Sequence, residues 1–380
     1  MPVELSVKVT HPERFLGMRA HVRPMREAMQ HRAFVYTSDF DGTWVATDEV
    51  NRRFPALEDD PAMVLAPVTA MLRLNLPVGV LTGNTPEYID RQCVHGLRSA
   101  LLKQGALSAM AQLAVYSQNA TLWQPFNLFG NAMEDRARTY ADRFRLPDEV
   151  IDSAFNVYRQ VVGHHTLGRN WMNDPPIIIR PLGGAGLEER QFGPRFQNRH
   201  AVQLAWIAIP PDIRAGIIAD AVKELQATFP RMMRLRHNPG GQYSIDIDHP
   251  DAAKHVGSRH FAQIHEATFD LYTGDSVYRR MLANGQTLVG NDLPVVEDPT
   301  ARVIALNRNQ TEIPRHARII PGGIGPEACR GWATWALVHW IDVQLQHGHL
   351  TDAAKTSIMT VITDSGLADT GDITATYRLH

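Results

Sequence analysis

Cysteine is scarce in this chain: Cys93 and Cys329 are the only two in 380 residues. They lie far apart and lack metal-type spacing, which excludes a disulfide framework and fits two free thiols in a reducing compartment. Long apolar runs are lacking as well. No stretch approaches the roughly 20 apolar residues that span a bilayer. The first residues, MPVELSVKVTHPERF, have no apolar core of the kind that marks a secretion signal, so a cytoplasmic protein is expected. Charge of one sign is also missing. A formal net charge of −2 gives no global field to recruit nucleic acid or an anionic membrane. Internal repeats and low-complexity segments are absent. The 17 histidines are scattered, with no pair at helical metal spacing. What is present is ordinary globular composition, 44% apolar and 21% charged, at a length that suits two domains.

The stretch FVYTSDFDGTW, residues 34–44, raises the first specific question: a buried strand runs into two aspartates, Asp39 and Asp41, and a Gly-Thr pair. From there strands and helices alternate. AFVYTSDF, LPVGVLTGNT (76–85) and LAVYSQNATLW (113–123) read as buried strands. DDPAMVLAPVTAMLRLN (59–75) and PEYIDRQCVHGLRSALLKQ read as helices, the second opening on a proline suited to a first turn. Such alternation predicts right-handed βαβ units and an α/β fold with a Rossmann-like parallel sheet covered on both faces.

The texture changes over 124–242, where strand candidates PPIIIRP and AVQLAWIAIPP, a helix PDIRAGIIADAVKELQATFP and a Gly-rich loop suggest an inserted α+β domain. The alternation returns at 243, with strands predicted at TFDLYTGDS (268–276), QTLVGND (286–292) and ARVIALN (301–307), and a core helix at 325–345. The predicted organisation is a discontinuous core, 30–123 and 243–348, a cap over 124–242, an N-terminal extension 1–29 and a polar C-terminal tail from 349. Trp332, Trp335 and Trp340 follow helical spacing and read as core.

Ligands of open parallel sheets bind beyond the carboxyl ends of the strands. Three predicted strands end there in reactive residues: Asp39 with Asp41, Thr82 followed by Gly83, and Asp275. Lys254 opens a helix shortly before the third. Paired acids at a strand end suit Mg²⁺, which takes a few carboxylates plus water and phosphate oxygens. A lysine, a hydroxyl and free backbone N–H groups suit a phosphoryl group.

This ordered set resembles the haloacid dehalogenase-like superfamily. The first motif of that family, D-x-D-G-T, stands as DFDGT (39–43). The second fits Thr82 in VGVLTGNT, the third Lys254 in IDIDHPDAAKHVG, and the fourth Asp275 in LYTGDS. YSQNATLW is similar to the strand that precedes a large type II cap. The resemblance covers about residues 33–345. One departure stands out: where the family often reads G-D-S-x-N-D, this chain has GDSVYRR, with Tyr278 and Arg279 in place of the Asn-Asp pair. Asp292, in VGND, is a candidate replacement that the sequence does not position.

The resemblance implies a Mg²⁺-dependent phosphatase acting on a small phosphorylated metabolite such as a sugar phosphate. Asp39 would be the nucleophile and Asp41 the general acid and base. Asp39, Asp41 (through its backbone carbonyl) and Asp275 would hold the metal, and Thr82, Gly83 and Lys254 would bind the phosphate. Arg169, Asn170, Arg180 and Arg199 are candidates for reading the rest of the substrate. A sugar phosphomutase is the alternative within the family, and a degenerate, non-catalytic binding protein is the alternative outside catalysis. No nucleic-acid or membrane partner is expected, and homo-oligomerisation is left open.

Overall fold

All six residues of Phe34–Asp39 are buried, as a strand covered on both faces must be. The structure, a computed structural model, describes residues 4–45, 62–84, 86–166, 178–182, 201–205, 211–228, 235–240, 244–281, 287–299, 303–306, 316–323, 325–348, 350–367 and 371–378. Its strands begin with β1 (Glu4–Val9), β2 (Phe34–Asp39), β3 (Val78–Leu81), β4 (Leu113–Ser117) and β5 (Leu122–Pro125). There follow β6 (Ile178–Leu182), β7 (Ala201–Ala205), β8 (Arg236–Gly240), β9 (Ser244–Asp248) and β10 (Phe269–Gly274). The last are β11 (Arg279–Met281), β12 (Thr287–Val289), β13 (Val303–Leu306), β14 (Ile319–Pro321) and β15 (Ile373–Arg378).

Seven strands form the central sheet in the order β14-β13-β10-β2-β3-β4-β5, parallel except for β5. This is the predicted mixed α/β core. On one face Phe34, Tyr36 and Leu271 pack with Met25 and Met29 of helix Arg19–Gln30, Val68 and Met71 of helix Ala62–Arg73, and Trp332 and Trp335 of helix Gly325–His347. On the other face Val35, Tyr116 and Tyr272 pack with Phe261 of helix Lys254–Ile264 and Val295 of the short helix Leu293–Glu297. Trp340 is buried with its neighbours and donates its indole N–H to the Leu74 carbonyl at 3.1 Å. Among the described residues, no helix is long and apolar enough to cross a membrane.

The topology fixes where a site belongs. From β2 the chain adds β3 and β4 on one side, and β10, β13 and β14 later extend the sheet on the other. The carboxyl ends of β2 and β10 therefore flank the point where strand order reverses, which is the binding crevice of open parallel sheets.

Several elements differ from the sequence reading. LAVYSQNATLW is two antiparallel strands, β4 and β5, rather than one. Between them Gln118, Asn119 and Ala120 hold φ of 50°, 54° and 64°, a left-handed turn with no glycine to announce it. QTLVGND contributes β12 to a separate hairpin with β11, outside the main sheet. Ser244–Asp248, read as the start of the core's return, pairs as β9 with β7 and β8 in the four-stranded antiparallel sheet β6-β7-β9-β8. Its Ser-Ile-Asp-Ile-Asp alternation is an antiparallel pattern, not the continuous apolar run of a buried parallel strand. The two ends of the chain, read as separate extensions, meet: β1 pairs antiparallel with β15, and helices Arg19–Gln30 and Asp352–Asp364 flank them in sequence.

One buried acid helps weld this core. Asp270 on β10 accepts hydrogen bonds from Thr37 Oγ1 of β2 and from Ser258 Oγ of helix Lys254–Ile264, each at 2.6 Å. Burial lifts its pKa from 3.8 to about 6 against the pull of those two hydroxyls. Because the folded state holds this proton more tightly than the unfolded one, Asp270 subtracts stability as pH rises from about 4 to about 6 and no further above. Asparagine can keep both partners, accepting from Thr37 and donating to Ser258. In urea unfolding, the stability of Asp270→Asn relative to wild type should therefore improve by about 2 kcal/mol between pH 4 and pH 7. A difference that does not change with pH would contradict it.

Candidate active site

Asp39 is the last residue of β2, where the sheet stops supplying partners and the chain must turn. Phe40 and Trp44 bury their rings against each other, centroids 5.8 Å apart, and the Phe40 carbonyl accepts the N–H groups of Thr43 and Trp44 at 3.2 and 2.7 Å. Trp44 then donates its indole N–H to Ser38 Oγ at 2.9 Å. Residues 40–45 are thus a tight loop pinned back onto the strand, which carries Asp39 and Asp41 to the same end of the sheet. Gly42 makes the loop feasible. Its φ is +75°, and a Cβ there would sit 2.1 Å from Asp275 Oδ2.

Of the residues predicted for the site, Asp39, Lys254 and Asp275 converge. Lys254, at the start of its helix, donates to Asp39 Oδ1 at 2.6 Å and to Asp292 Oδ1 at 2.8 Å. Carboxylate oxygens of Asp39, Asp275 and Asp292 all lie within 4.8 Å of one another. Asp292 thus stands where the sequence left a question: the hairpin β11–β12 separates Gly274-Asp275 from Asn291-Asp292 and returns the chain to the same spot. Arg279, which occupies the expected acidic position, turns to an exposed ion pair with Glu297 at 2.6 Å instead.

Asp41 is held apart from this cluster. Its Oδ2 accepts Thr82 Oγ1 at 3.1 Å and Asn84 Nδ2 at 2.6 Å, and its Oδ1 faces the Tyr88 hydroxyl at 3.5 Å. Thr82, at the end of β3, also accepts the Asn84 N–H at 3.0 Å. The left-handed turn after β4 locks this loop: the Gln118 N–H bonds the Asn84 carbonyl at 2.9 Å and the Asn119 N–H bonds the Thr82 carbonyl at 3.0 Å. Gly83 lies within that loop. Sequence reasoning missed Asn84 and Tyr88. Asn84 was accessible as the polar residue of TGNT, but Tyr88 reaches Asp41 only through the fold. Arg169, Asn170 and Arg199 lie outside the described residues. Arg180 lies in β6 opposite Gln203.

The electrostatics are lopsided, with three clustered carboxylates around one ammonium and a fourth, Asp41, beside them. Burial pushes Asp39 and Asp41 above the ordinary carboxylate range. Asp275 is lifted to about 6, by burial first and by the Asp292 charge second. Burial would lower the Lys254 pKa, but Asp292 and Asp39 outweigh it and hold the ammonium charged. A buried negative excess of this kind is what a divalent cation neutralises. The acids also match what Mg²⁺ takes, namely a few carboxylate oxygens with room left for other oxygen ligands. The donor set therefore fits the predicted metal.

No family model matches the chain, and no curated protein sequence matches it. Among solved structures, the chain is similar to an N-terminally truncated Plasmodium falciparum IMP-nucleotidase at 10% identity and a TM-score of 0.48, over 83% of this chain and 73% of that one. It is also similar to Aspergillus fumigatus trehalose-6-phosphate phosphatase, again at 10% identity, with a TM-score of 0.47 over 83% of this chain and 97% of that one. The C-terminal domain of C. albicans trehalose-6-phosphate phosphatase gives 10% identity and a TM-score of 0.48 over 83% and 96%. Likenesses at this level leave the site's own geometry as the ground for a functional reading.

Proposed function

We propose that this chain is a Mg²⁺-dependent phosphatase of the haloacid dehalogenase-like kind, acting on a small phosphorylated metabolite, with a sugar phosphate as the expected class. The observation that carries the reading is the division of labour between two aspartates one residue apart. Asp39 is tied to Lys254 at 2.6 Å beside Asp275 and Asp292, whereas Asp41 is tied to Thr82 and Asn84.

In this mechanism a carboxylate oxygen of Asp39 attacks phosphorus, forming the aspartyl P–O bond as the ester P–O bond breaks. Asp41 gives its proton to the departing oxygen, then takes one from the water that cleaves the aspartyl-phosphate. Burial raises the pKa of Asp41, the direction a proton donor needs. Lys254 and the Thr82–Asn84 loop, with the backbone N–H of Gly83, bind the non-bridging oxygens. Asp39, Asp275 and the backbone carbonyl of Asp41 would hold Mg²⁺, which when bound offsets the repulsion between a carboxylate and a phosphate. The non-catalytic alternative rests on Tyr278 and Arg279, and the bond from Lys254 to Asp292 is what favours the enzyme over it.

The test is phosphate release across a panel of phosphorylated metabolites, with Mg²⁺ and after chelation. Turnover should vanish with EDTA and return with Mg²⁺. Asp39→Asn should abolish release, and Asp41→Asn should lower kcat roughly 10²–10⁴-fold, both melting near wild type. Undiminished turnover in Asp39→Asn would end the proposal. Gly42→Ala, which drives a methyl group into Asp275, should lose turnover and cost about 1–3 kcal/mol of stability from the left-handed backbone, measurable by urea unfolding.

A further inference from the structure

Asp39 and Asp275 are fixed by the ends of two strands hydrogen-bonded to each other, β2 and β10. Asp292 has no such support. It follows the hairpin β11–β12, which among the described residues pairs with no strand of the central sheet, yet it is fully buried and bears directly on Lys254. Something must carry the rigidity of the sheet out to it.

Tyr272 is placed to do so. It sits within β10, flanked by β2 and β13, and its buried hydroxyl donates to Asp292 Oδ1 at 2.7 Å. That same oxygen accepts the Lys254 ammonium at 2.8 Å, and Asp292 Oδ2 accepts the Ser276 N–H at 2.8 Å. The ring and the carboxylate together fill the space over Gly274, where a Cβ would stand 2.6 Å from Tyr272 Cε1 and 2.7 Å from Asp292 Oδ2. A phenylalanine would fill the apolar part of this position equally well, so the hydroxyl needs its own reason. A buried hydroxyl is kept only with a partner, and the partner here is the acid that braces the site lysine. Burial, with the Asp292 charge beside it, holds the phenol far above its ordinary pKa, so it remains a donor.

We infer that Tyr272 is a positioning residue, which fixes the Asp292 carboxylate and through it aims Lys254 at the phosphate-binding crevice. The inference rests on the proposed hydrolysis for its catalytic meaning, while its geometric content concerns phosphate binding. Tyr272→Phe deletes one oxygen and keeps the ring. Asp292 then keeps one donor fewer on Oδ1, and Lys254 is left to settle against Asp39.

The experiment is a double-mutant cycle of Tyr272→Phe and Asp292→Asn, read in two ways: kcat with the best substrate of the panel, and calorimetric affinity for inorganic phosphate in the presence of Mg²⁺. Tyr272→Phe should lower kcat and weaken phosphate binding, each about tenfold, while melting within a few degrees of wild type. In the Asp292→Asn background the same change should have almost no further effect, because the two side chains act as one unit. A residue that only packs would move melting and leave the coupling near zero. Equal phosphate affinity in wild type and Tyr272→Phe, or losses that simply add, would overturn the inference. Absence of turnover in the wild type would count against the hydrolytic reading, and the phosphate affinities would then judge Tyr272 by themselves. Should Tyr272→Phe fold poorly, Asp292→Asn alone must reproduce the loss of phosphate affinity with melting unchanged, and wild-type affinity there would equally overturn the inference.

Discussion

An imbalance of buried charge at the rim of the central sheet governs the rest of this structure. Three buried carboxylates, Asp39, Asp275 and Asp292, gather around one ammonium, that of Lys254, with the half-buried Asp41 beside them. Taking carboxylates out of water is costly unless each finds donors or counter-charge. The molecule answers with a specific set of contacts: Lys254 serves two acids, Thr82 and Asn84 serve a third, and Ser276 bonds both Asp275 and Asp292. A buried excess of carboxylate is the environment that a divalent cation neutralises.

Such a cluster needs a rigid base, and the parallel sheet supplies it. Beneath Asp39 the hydroxyls of Tyr36, Thr273 and Ser38 join β2 to β10, with Tyr36 and Thr273 2.9 Å apart and Thr273 donating to Ser38 at 2.7 Å. Asp270 ties the same two strands to the helix that begins at Lys254. The elements that carry the site are therefore cross-linked by buried polar bonds as well as by apolar packing, and such bonds fix register where packing alone would tolerate slippage.

How much of this was legible follows from what each feature depends on. The parallel core was legible because buried strands and amphipathic helices alternate with clear periods, and Asp39, Thr82, Lys254 and Asp275 were legible because each sits at the end or start of such an element. The β4–β5 turn was not, since Gln118, Asn119 and Ala120 adopt left-handed backbone without glycine, held by bonds to residues 82 and 84 that are distant in the chain. The pairing of β1 with β15 was not, because the two strands stand at opposite ends of the sequence and neither has a partner nearby. Asp292 was visible only as an open question. A motif read along the chain treats spacing as fixed, whereas a site read in space requires only that the chain return.

The hairpin between Asp275 and Asp292 makes that distinction concrete. A site built from strand ends can absorb an insertion, because its groups are held by the sheet and not by their neighbours in sequence. The group that follows the insertion loses that protection and must be anchored again. Here Ser276 bonds one oxygen of Asp292 from the near side of the hairpin, and Tyr272 bonds the other from within β10. Both anchors precede the hairpin in the chain, so the position of Asp292 depends on contacts made before it begins. Lys254 thereby keeps both of its acids although the second lies beyond the hairpin.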